Sequence, residues 1–236
     1  MHSPANLSAA KDKIIVALDL PDAAAALRAV ELLTGEVGIF KIGLQLFTAS
    51  GPALVRQIRS LGAAVFLDLK FHDIPNTVRH AVESAVALDV QMLTVHAGGG
   101  REMLVAAAAG AAGSAVRVLG VTVLTSSNAN TLREIGVGTS VADQVQSLGK
   151  LAAEAGLGGL VASAHEIDLL RRHLPAAVKL VIPGIRPAGV ETQDQKRTMT
   201  PREAVDLGAD YLVIGRPILA ASDPVQAARE IVASMV

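Results

Sequence analysis

The stretch Val65–Thr77, VFLDLKFHDIPNT, joins an apolar run to a group of charged residues. The apolar part, which begins after Gly62 and ends at Leu67, predicts a buried strand, because it is short and contains β-branched and aromatic residues. Pro75 then predicts the start of a helix. The stretch therefore predicts one strand–turn–helix unit of an α/β protein.

Three ionisable residues, Asp68, Lys70 and Asp73, follow the apolar run. Alternate side chains of a strand share a face, so we expect Asp68 and Lys70 to point in the same direction from its carboxyl end. Burying a charge is costly unless it is paired. These residues form either a structural ion pair at a strand terminus or a preorganised charge cluster, since perturbed ionisable groups collect at active sites.

The rest of the chain repeats this unit without a shift in composition that would mark a domain boundary. The predicted strands are Lys13–Asp19, Gly38–Ile42, Ala64–Leu69, Gln91–His96, Val116–Leu124, Gly159–Ala162, Lys179–Pro183 and Tyr211–Gly215. The predicted helices are Asp22–Leu33, Pro52–Leu61, Thr77–Leu88, Glu102–Ala112, Val141–Ala155, Glu166–His173, Pro201–Leu207 and Pro224–Met235.

Continuous apolar strands separated by helices are typical of a parallel sheet covered by helices. Eight such units in 236 residues predict a closed (β/α)₈ TIM barrel, with residues 1–236 as one domain and residues 1–12 as an N-terminal extension. An open doubly wound sheet is the alternative. Against it, Asp19–Asp22 follows the first strand in place of a G-x-G-x-x-G motif.

The composition excludes several classes of function. Hydrophobic residues make up 51% of the chain and aromatic residues 2%, so the core must consist of Ala, Val, Leu and Ile. A net charge of −1 without a Lys/Arg cluster argues against binding of nucleic acid or anionic membranes. The lack of cysteine excludes disulfides and thiolate chemistry and is compatible with a reducing cytoplasm.

Two segments bear on targeting. The first twelve residues lack the apolar core of a signal peptide. The apolar stretch Met103–Leu124 is long enough to suggest a membrane span, but Gly110, Gly113 and Ser114 interrupt it. We therefore expect a helix, a turn and a strand there, in a soluble protein.

Polar residues follow most of the predicted strands. In a barrel the active site lies at the carboxyl ends of the strands. The residues at or just beyond those ends are Asp19, Lys41, Asp68, Lys70, Asp73, His96, Thr125, Ser126, Arg186 and Arg216. Carboxylates and cations alternate among the first five, which predicts an active site at this mouth.

The last two units predict a phosphate site, because loops after strands seven and eight of such barrels commonly hold a phosphate. Gly215 allows close approach of the backbone, and Arg216 offers charge-assisted hydrogen bonds. The long polar loop Ile185–Thr200 predicts a lid over that phosphate, and a passive surface loop is the alternative.

Eight short segments resemble the orotidine 5′-phosphate decarboxylase family, in the family's order and across nearly the whole chain. They are Val16–Asp19, Phe40–Gly43, Asp68–Thr77, Val95–Ala97, Leu124–Ser126, Pro183–Arg186, Asp194–Gln195 and Gly215–Arg216. The segment Asp68–Thr77 is highly specific, whereas each of the others is weak by itself.

This resemblance implies a cofactor-free lyase that converts orotidine 5′-phosphate to UMP and CO₂, the last step of pyrimidine nucleotide synthesis. It also implies a homodimer in which Lys41, Asp68, Lys70 and Asp73 form the catalytic charge network, with Asp73 reaching the neighbouring subunit's site. The implied substrate contacts are Asp19 and Lys41 at the ribose, Ile74 and Thr77 at the shared site, Thr125 and Ser126 near the pyrimidine, Pro183 at the end of strand seven, and Arg186, Gln195, Gly215 and Arg216 at the phosphate. Gln193 is the alternative to Gln195, which is preferred because it follows Asp194.

Two other functions remain open. A metal-dependent sugar-phosphate decarboxylase, aldolase or epimerase on the same barrel can share the Asp-x-Lys-x-x-Asp pattern, but those that use magnesium need a carboxylate where Lys41 stands. A non-catalytic barrel would be expected to have lost part of the charged set, which is complete here. His72 and His96 are predicted to be structural rather than proton carriers, and the six histidines show no metal-ligand spacing.

Overall fold

Eight parallel strands close into a barrel in the computed structural model, which describes residues 4–187 and 199–236. The strands are β1 (Ile14–Ala17), β2 (Ile39–Gly43), β3 (Ala64–Phe71), β4 (Met92–His96), β5 (Arg117–Val121), β6 (Gly159–Val161), β7 (Lys179–Pro183) and β8 (Tyr211–Ile214). Each strand pairs with the next, and β1 also pairs with β8, with Ile15 beside Val213. The predicted TIM barrel is confirmed, and the open-sheet alternative is excluded because the first and last strands are hydrogen-bonded.

Helix α1 precedes the first strand, and the other helices follow the strands and cover the outside of the barrel. They are α1 (Pro4–Lys11), α2 (Ala23–Leu33), α3 (Leu44–Ser60), α4 (Pro75–Val86), α5 (Gly100–Gly110), α6 (Ala129–Glu134), α7 (Val141–Glu154), α8 (Ile167–His173), α9 (Pro201–Asp206), α10 (Arg216–Leu219) and α11 (Pro224–Ser234), with short 3₁₀ turns at Ala97–Gly99 and Ala164–Glu166. Among these helices, none combines the length and the apolar character that crossing a bilayer requires.

The core has two parts, because alternate strand residues face opposite sides of the sheet. One cluster fills the lumen and includes Ile15, Ile39, Phe66 and Met92. A larger cluster, to which Val16 belongs, lies between the strands and the helices. Along several strands, the lumen-facing residue is followed two positions later by a polar one, which brings polar groups to one end of a closed apolar barrel.

The structure differs from the prediction in the length of several elements. Strand β3 runs two residues beyond the predicted Leu69, and its pairing with β4 is irregular between Leu67 and Phe71. Strand β5 ends at Val121, three residues before the predicted end. The N-terminal extension contains helix α1, whose Ala10 is buried, because its apolar face packs on the core.

An ion cluster fastens β7 to β8 at the amino-terminal end of the barrel. The Asp210 carboxylate accepts hydrogen bonds from Lys179 Nζ at 2.9 Å, from the Leu180 amide at 2.8 Å and from the Arg171 guanidinium. Arg171 also donates to the carbonyl oxygens of Val178 and Gly208. Burial of Asp210 opposes its ionisation, but the Leu180 amide, Lys179 and Arg171 outweigh burial and lower the pKa of Asp210.

We expect Asp210→Asn to lower the free energy of unfolding by about 2 kcal/mol at pH 7, because it weakens charge-assisted hydrogen bonds in a half-buried site. Since the pKa of Asp210 is lowered in the folded state, this stabilisation is present above the unfolded-state pKa near 4 and is lost as the pH falls through the folded-state pKa. Urea unfolding at several pH values checks both points.

Asp206→Asn is the matched control, because Asp206 pairs with Arg202 on the exposed face of α9. Exposed ion pairs contribute little to stability. If the two variants were destabilised equally, the cluster around Asp210 would have no special role in holding the barrel together.

Candidate active site

A cavity of about 310 Å³ lies at the carboxyl ends of the first four strands. Five ionisable residues line it: Asp19, Lys41, Asp68, Lys70 and His96. Each follows a lumen-facing apolar residue of its strand by two or four positions, so the closed barrel brings them to one mouth although they are spread over almost eighty residues of sequence.

The charges of four of these residues alternate in space. Lys41 Nζ lies 3.1 Å from Asp19 Oδ1 and 3.8 Å from Asp68 Oδ2. Lys70 Nζ lies 2.8 Å from Asp68 Oδ1. Asp68 is thus held between two ammonium groups, one at each carboxylate oxygen. We refer to Asp19, Lys41, Asp68 and Lys70 as the charge chain.

The members of the charge chain differ in their exposure to solvent. The side chains of Lys41 and Asp68 are only 11% and 12% exposed, whereas Lys70 is 33% and Asp19 67% exposed. Buried charges are tolerated when they are paired, and both buried members have partners. Lys70 combines a fixed carboxylate partner with access to the cavity, so its ammonium is available to a bound anion.

Gly43 leaves the space that the Lys41 ammonium occupies. A Cβ added at Gly43 would lie 3.0 Å from Lys41 Nζ and 3.6 Å from Asp19 Oδ1. A Cβ at this position would therefore require the Lys41 ammonium to shift by a few tenths of an ångström. The small residue two positions after Lys41 is part of the site for a steric reason.

Asp68 and Lys70 meet as expected, but regular strand alternation does not extend through Lys70. Its φ is +52°, in the left-handed region that residues other than glycine seldom adopt. The Lys70 amide donates to Thr94 Oγ1 at 2.8 Å, and Thr94 Oγ1 donates to Asp68 Oδ1 at 3.0 Å. Thr94 was missed by the sequence analysis, although it lies between Met92 and His96 on the lumen-facing side of β4.

His96 borders the cavity beside Lys70. Its half-buried position, reinforced by the neighbouring His72 and Lys70 and opposed by Asp68, lowers the pKa of His96. The imidazole is therefore neutral near pH 7 and adds no positive charge to the site. Its ring centroid lies 5.5 Å from that of His72.

A second cavity, of about 140 Å³, extends from the charge chain into the barrel. It shares Lys41, Asp68 and Lys70 with the first, and the rest of its lining is mainly apolar. The apolar lining consists of Phe66, Val121, Val123, Leu124, Val161, Ala162, Pro183 and Val213, with Thr125 as a polar addition. Ser126 follows Thr125 in an exposed turn. The site thus offers charges beside an apolar recess.

The predicted phosphate residues lie at the ends of β7 and β8. A Cβ added at Gly215 would lie 3.3 Å from Ala17 Cβ and 3.9 Å from Asp19 Oδ2, so the start of α10 adjoins the charge chain. Arg216 is exposed, whereas Arg186 is 8% exposed and donates from its backbone amide to the Met199 carbonyl at 3.0 Å. Gln195, its alternative Gln193 and the central part of the expected lid lie outside the described residues.

Asp73, Ile74 and Thr77 are exposed around the start of α4. Asp73 Oδ1 accepts a hydrogen bond from the Ile74 amide at 2.6 Å, and within the described ranges Asp73 forms no ion pair with Lys70. Ile74 is 67% exposed, which is unusual for a large apolar side chain. This segment does not complete the charge chain within one copy of the protein.

No group of three or more His, Cys, Asp or Glu side chains within residues 4–187 and 199–236 is arranged to hold a metal ion. The two carboxylates of the charge chain already pair with ammonium groups. A divalent cation at this mouth would have to compete with these ammonium groups for the two carboxylates.

Residues 12–231 match the sequence model of the family described as "Orotidine 5′-phosphate decarboxylase / HUMPS family". Among curated proteins, the chain is 52% identical over 234 residues to an orotidine 5′-phosphate decarboxylase of Moorella thermoacetica, with 96% of this chain and 93% of the relative covered. It is also 52% identical over 233 residues to the enzyme of the same name from Syntrophotalea carbinolica, with 96% of each chain covered.

A solved structure agrees with these matches. The crystal structure of orotidine 5′-phosphate decarboxylase from Lactobacillus acidophilus superimposes with a TM-score of 0.84 at 35% sequence identity, and the alignment covers 94% of this chain and 98% of that one. The likeness therefore extends over the whole barrel, including the strands that carry the charge chain.

Proposed function

The chain belongs to the orotidine 5′-phosphate decarboxylase / HUMPS family, and from this premise we propose that it is a carboxy-lyase that converts orotidine 5′-phosphate to UMP and CO₂ in pyrimidine nucleotide synthesis. The observation that carries the proposal is the charge chain at the barrel mouth, in which Lys70 is paired with Asp68 and open to the cavity. No cofactor enters the proposed reaction.

The reaction requires stabilisation of a localised negative charge. When the bond between C6 of the pyrimidine and its carboxylate breaks, CO₂ leaves and the electron pair of the bond remains on C6. That pair lies in the plane of the ring, where the π system cannot delocalise it. A positive group held beside C6 can stabilise the developing charge directly.

Lys70 is the group proposed for this role. Its ammonium stabilises the carbanion and then gives a proton to C6, which completes UMP, and solvent restores the proton. Two unit charges about 4 Å apart interact by roughly 4 kcal/mol at an effective dielectric constant near 20. Enzymes lower barriers by about 8–23 kcal/mol, so binding energy from the rest of the substrate must contribute as well.

Asp68 has two proposed roles. Its Oδ1 atom, 2.8 Å from Lys70 Nζ, fixes the ammonium in place. The Asp68 side chain is 12% exposed and lines both cavities. Its negative charge repels the carboxylate of the substrate and so favours loss of CO₂. Lys41, which contacts both Asp68 and Asp19, completes the catalytic set.

The remaining predicted residues hold the substrate in this proposal. Asp19 and Lys41 bind ribose hydroxyls, and Thr125, Ser126 and Pro183 lie by the pyrimidine near the apolar recess. Arg186, Gln195, Gly215 and Arg216 bind the phosphate. The 3.9 Å distance from a Cβ built at Gly215 to Asp19 Oδ2 supports the proposal, because phosphate and ribose are adjacent in the substrate.

We further propose that the active form is a homodimer in which Asp73, Ile74 and Thr77 act at the neighbouring subunit's site. Their exposure in the single chain, and the lack of an ion pair between Asp73 and Lys70 among the described residues, support this proposal. A cytoplasmic location is proposed as well, because a chain without cysteine suits a reducing compartment.

The metal-dependent alternative is not favoured. It needs a further carboxylate near the end of β2, where Lys41 instead contacts Asp19 and Asp68. A cation at this place repels a divalent metal ion and occupies the carboxylates that would hold it.

Product analysis tests the proposed function. Purified protein is incubated with orotidine 5′-phosphate that carries labelled carbon in its carboxylate, and UMP and labelled CO₂ are measured separately. We expect equal amounts of both. A pentulose or hexulose phosphate serves as the competing substrate class, and turnover of that substrate without decarboxylation of orotidine 5′-phosphate would overturn the proposal.

A further inference from the structure

We propose that Thr94 is a positioning residue that holds the Lys70 backbone and the Asp68 carboxylate in a fixed relation to each other. The consequence for turnover rests on the proposed function, whereas the consequence for local structure does not. Thr94 is fully buried on β4 and does not line either cavity, so it acts through its two neighbours rather than on a substrate.

The Thr94 hydroxyl is used in both directions. It accepts a hydrogen bond from the Lys70 amide at 2.8 Å and donates one to Asp68 Oδ1 at 3.0 Å. A hydroxyl has one proton to donate. When Thr94 donates that proton to Asp68, a lone pair of the Thr94 oxygen faces the Lys70 amide. Valine has nearly the same shape but supplies neither bond.

The backbone at Lys70 needs this support. Its φ of +52° costs free energy for a residue with a side chain, and such conformations persist only where the surroundings hold them. The register of β3 against β4 shifts between Leu67 and Phe71, so Lys70 lies where the regular ladder between these strands is interrupted. At this interruption the Thr94 hydroxyl accepts the hydrogen bond of the Lys70 amide.

Asp68 Oδ1 couples the two halves of the arrangement. The same oxygen accepts from Thr94 Oγ1 at 3.0 Å and from Lys70 Nζ at 2.8 Å. Removing the hydroxyl therefore frees the Lys70 amide. It also loosens the Asp68 carboxylate, which holds the Lys70 ammonium in place. Misplacement of a reacting group by about 1 Å can lower a rate by about 100-fold.

The test compares three variants. We expect Thr94→Val to lower kcat by roughly 10- to 100-fold with KM changed by less than about threefold, because the substrate contacts remain while the ammonium is less well placed. Thr94→Ser restores the hydroxyl and should return kcat to within about threefold of the wild type. Thr122→Val is the matched control, because Thr122 is also buried, directly after β5, but donates only to the Val161 carbonyl.

A second measurement does not depend on activity. In Thr94→Val, hydrogen exchange at the Lys70 amide should accelerate by about tenfold or more. The Val65 amide, which lies on the same strand as Lys70 and donates to Gln91 Oε1, should keep its protection. Should Thr94→Val fail to fold, Thr94→Ala takes its place, since it removes the hydroxyl and puts no methyl group at the position of the hydroxyl.

The outcomes separate this inference from the proposed function. Unchanged exchange at Lys70, or a fall in kcat that Thr94→Ser does not reverse and Thr122→Val reproduces, would overturn the role of Thr94. A wild-type protein that leaves orotidine 5′-phosphate intact would overturn the function, and the exchange experiment would still decide the local role of Thr94.

Discussion

Replacing Lys70 with alanine is expected to lower kcat for orotidine 5′-phosphate by about 10⁴-fold or more, while the Kd for UMP changes only a few-fold. In the proposed mechanism, the substitution removes both the charge that stabilises the C6 carbanion and the proton that C6 receives. The proposed phosphate and ribose contacts lie on other residues, so ground-state binding should survive. Single-turnover kinetics and titration with UMP measure the two effects separately.

Two controls sharpen this prediction. Lys150→Ala removes an exposed lysine on α7, far from the mouth, and should leave turnover unchanged. Lys70→Arg keeps a positive charge but replaces the compact ammonium with a larger group that does not release its proton, so turnover should remain low. If Lys70→Ala retained wild-type turnover, Lys70 would have no part in the reaction.

Asp73→Asn is expected to lower kcat by about 100-fold or more, although Asp73 forms no ion pair with Lys70 within the described part of one chain. The reason is the proposed dimer, in which Asp73 approaches the Lys70 ammonium of the neighbouring copy. The decisive measurement mixes two inactive proteins, Lys70→Ala and Asp73→Asn, under conditions that let their subunits exchange.

Mixing should restore activity if the site is shared. In a mixed dimer, one site combines an intact Lys70 from one subunit with an intact Asp73 from the other, and the second site lacks both. With random exchange, total activity should rise to about one quarter of the wild-type value. If both residues acted within one subunit, mixing would restore nothing, and the proposed cross-subunit role of Asp73 would be wrong.

The barrel and its mouth could be predicted because they depend on local patterns. Continuous apolar runs predicted all eight strands. Because alternate residues of a strand face the same side, Lys41 and Asp68 were expected to face the lumen, two positions after Ile39 and Phe66. The polar residues at the strand ends were visible for the same reason, since a charged group directly after a buried run is conspicuous in the sequence.

The rest depended on contacts that local patterns do not encode. The irregular pairing at Lys70 follows from a left-handed residue and from a hydroxyl 24 positions away on the next strand. The ion pair of Glu36 with Arg229 joins residues 193 positions apart. Helix α1 was missed because its apolar face is weak and is stabilised by packing on the core rather than by its own pattern.

Decarboxylation of orotidine 5′-phosphate by metal-depleted protein tests the central claim most directly. The loss of substrate absorbance is followed with purified protein after dialysis against EDTA, with EDTA also present in the assay. If side chains of the protein stabilise the carbanion without a metal ion, the rate should equal that of untreated protein. A rate abolished by EDTA and restored by Mg²⁺, or the lack of any decarboxylation before and after treatment, would contradict the claim.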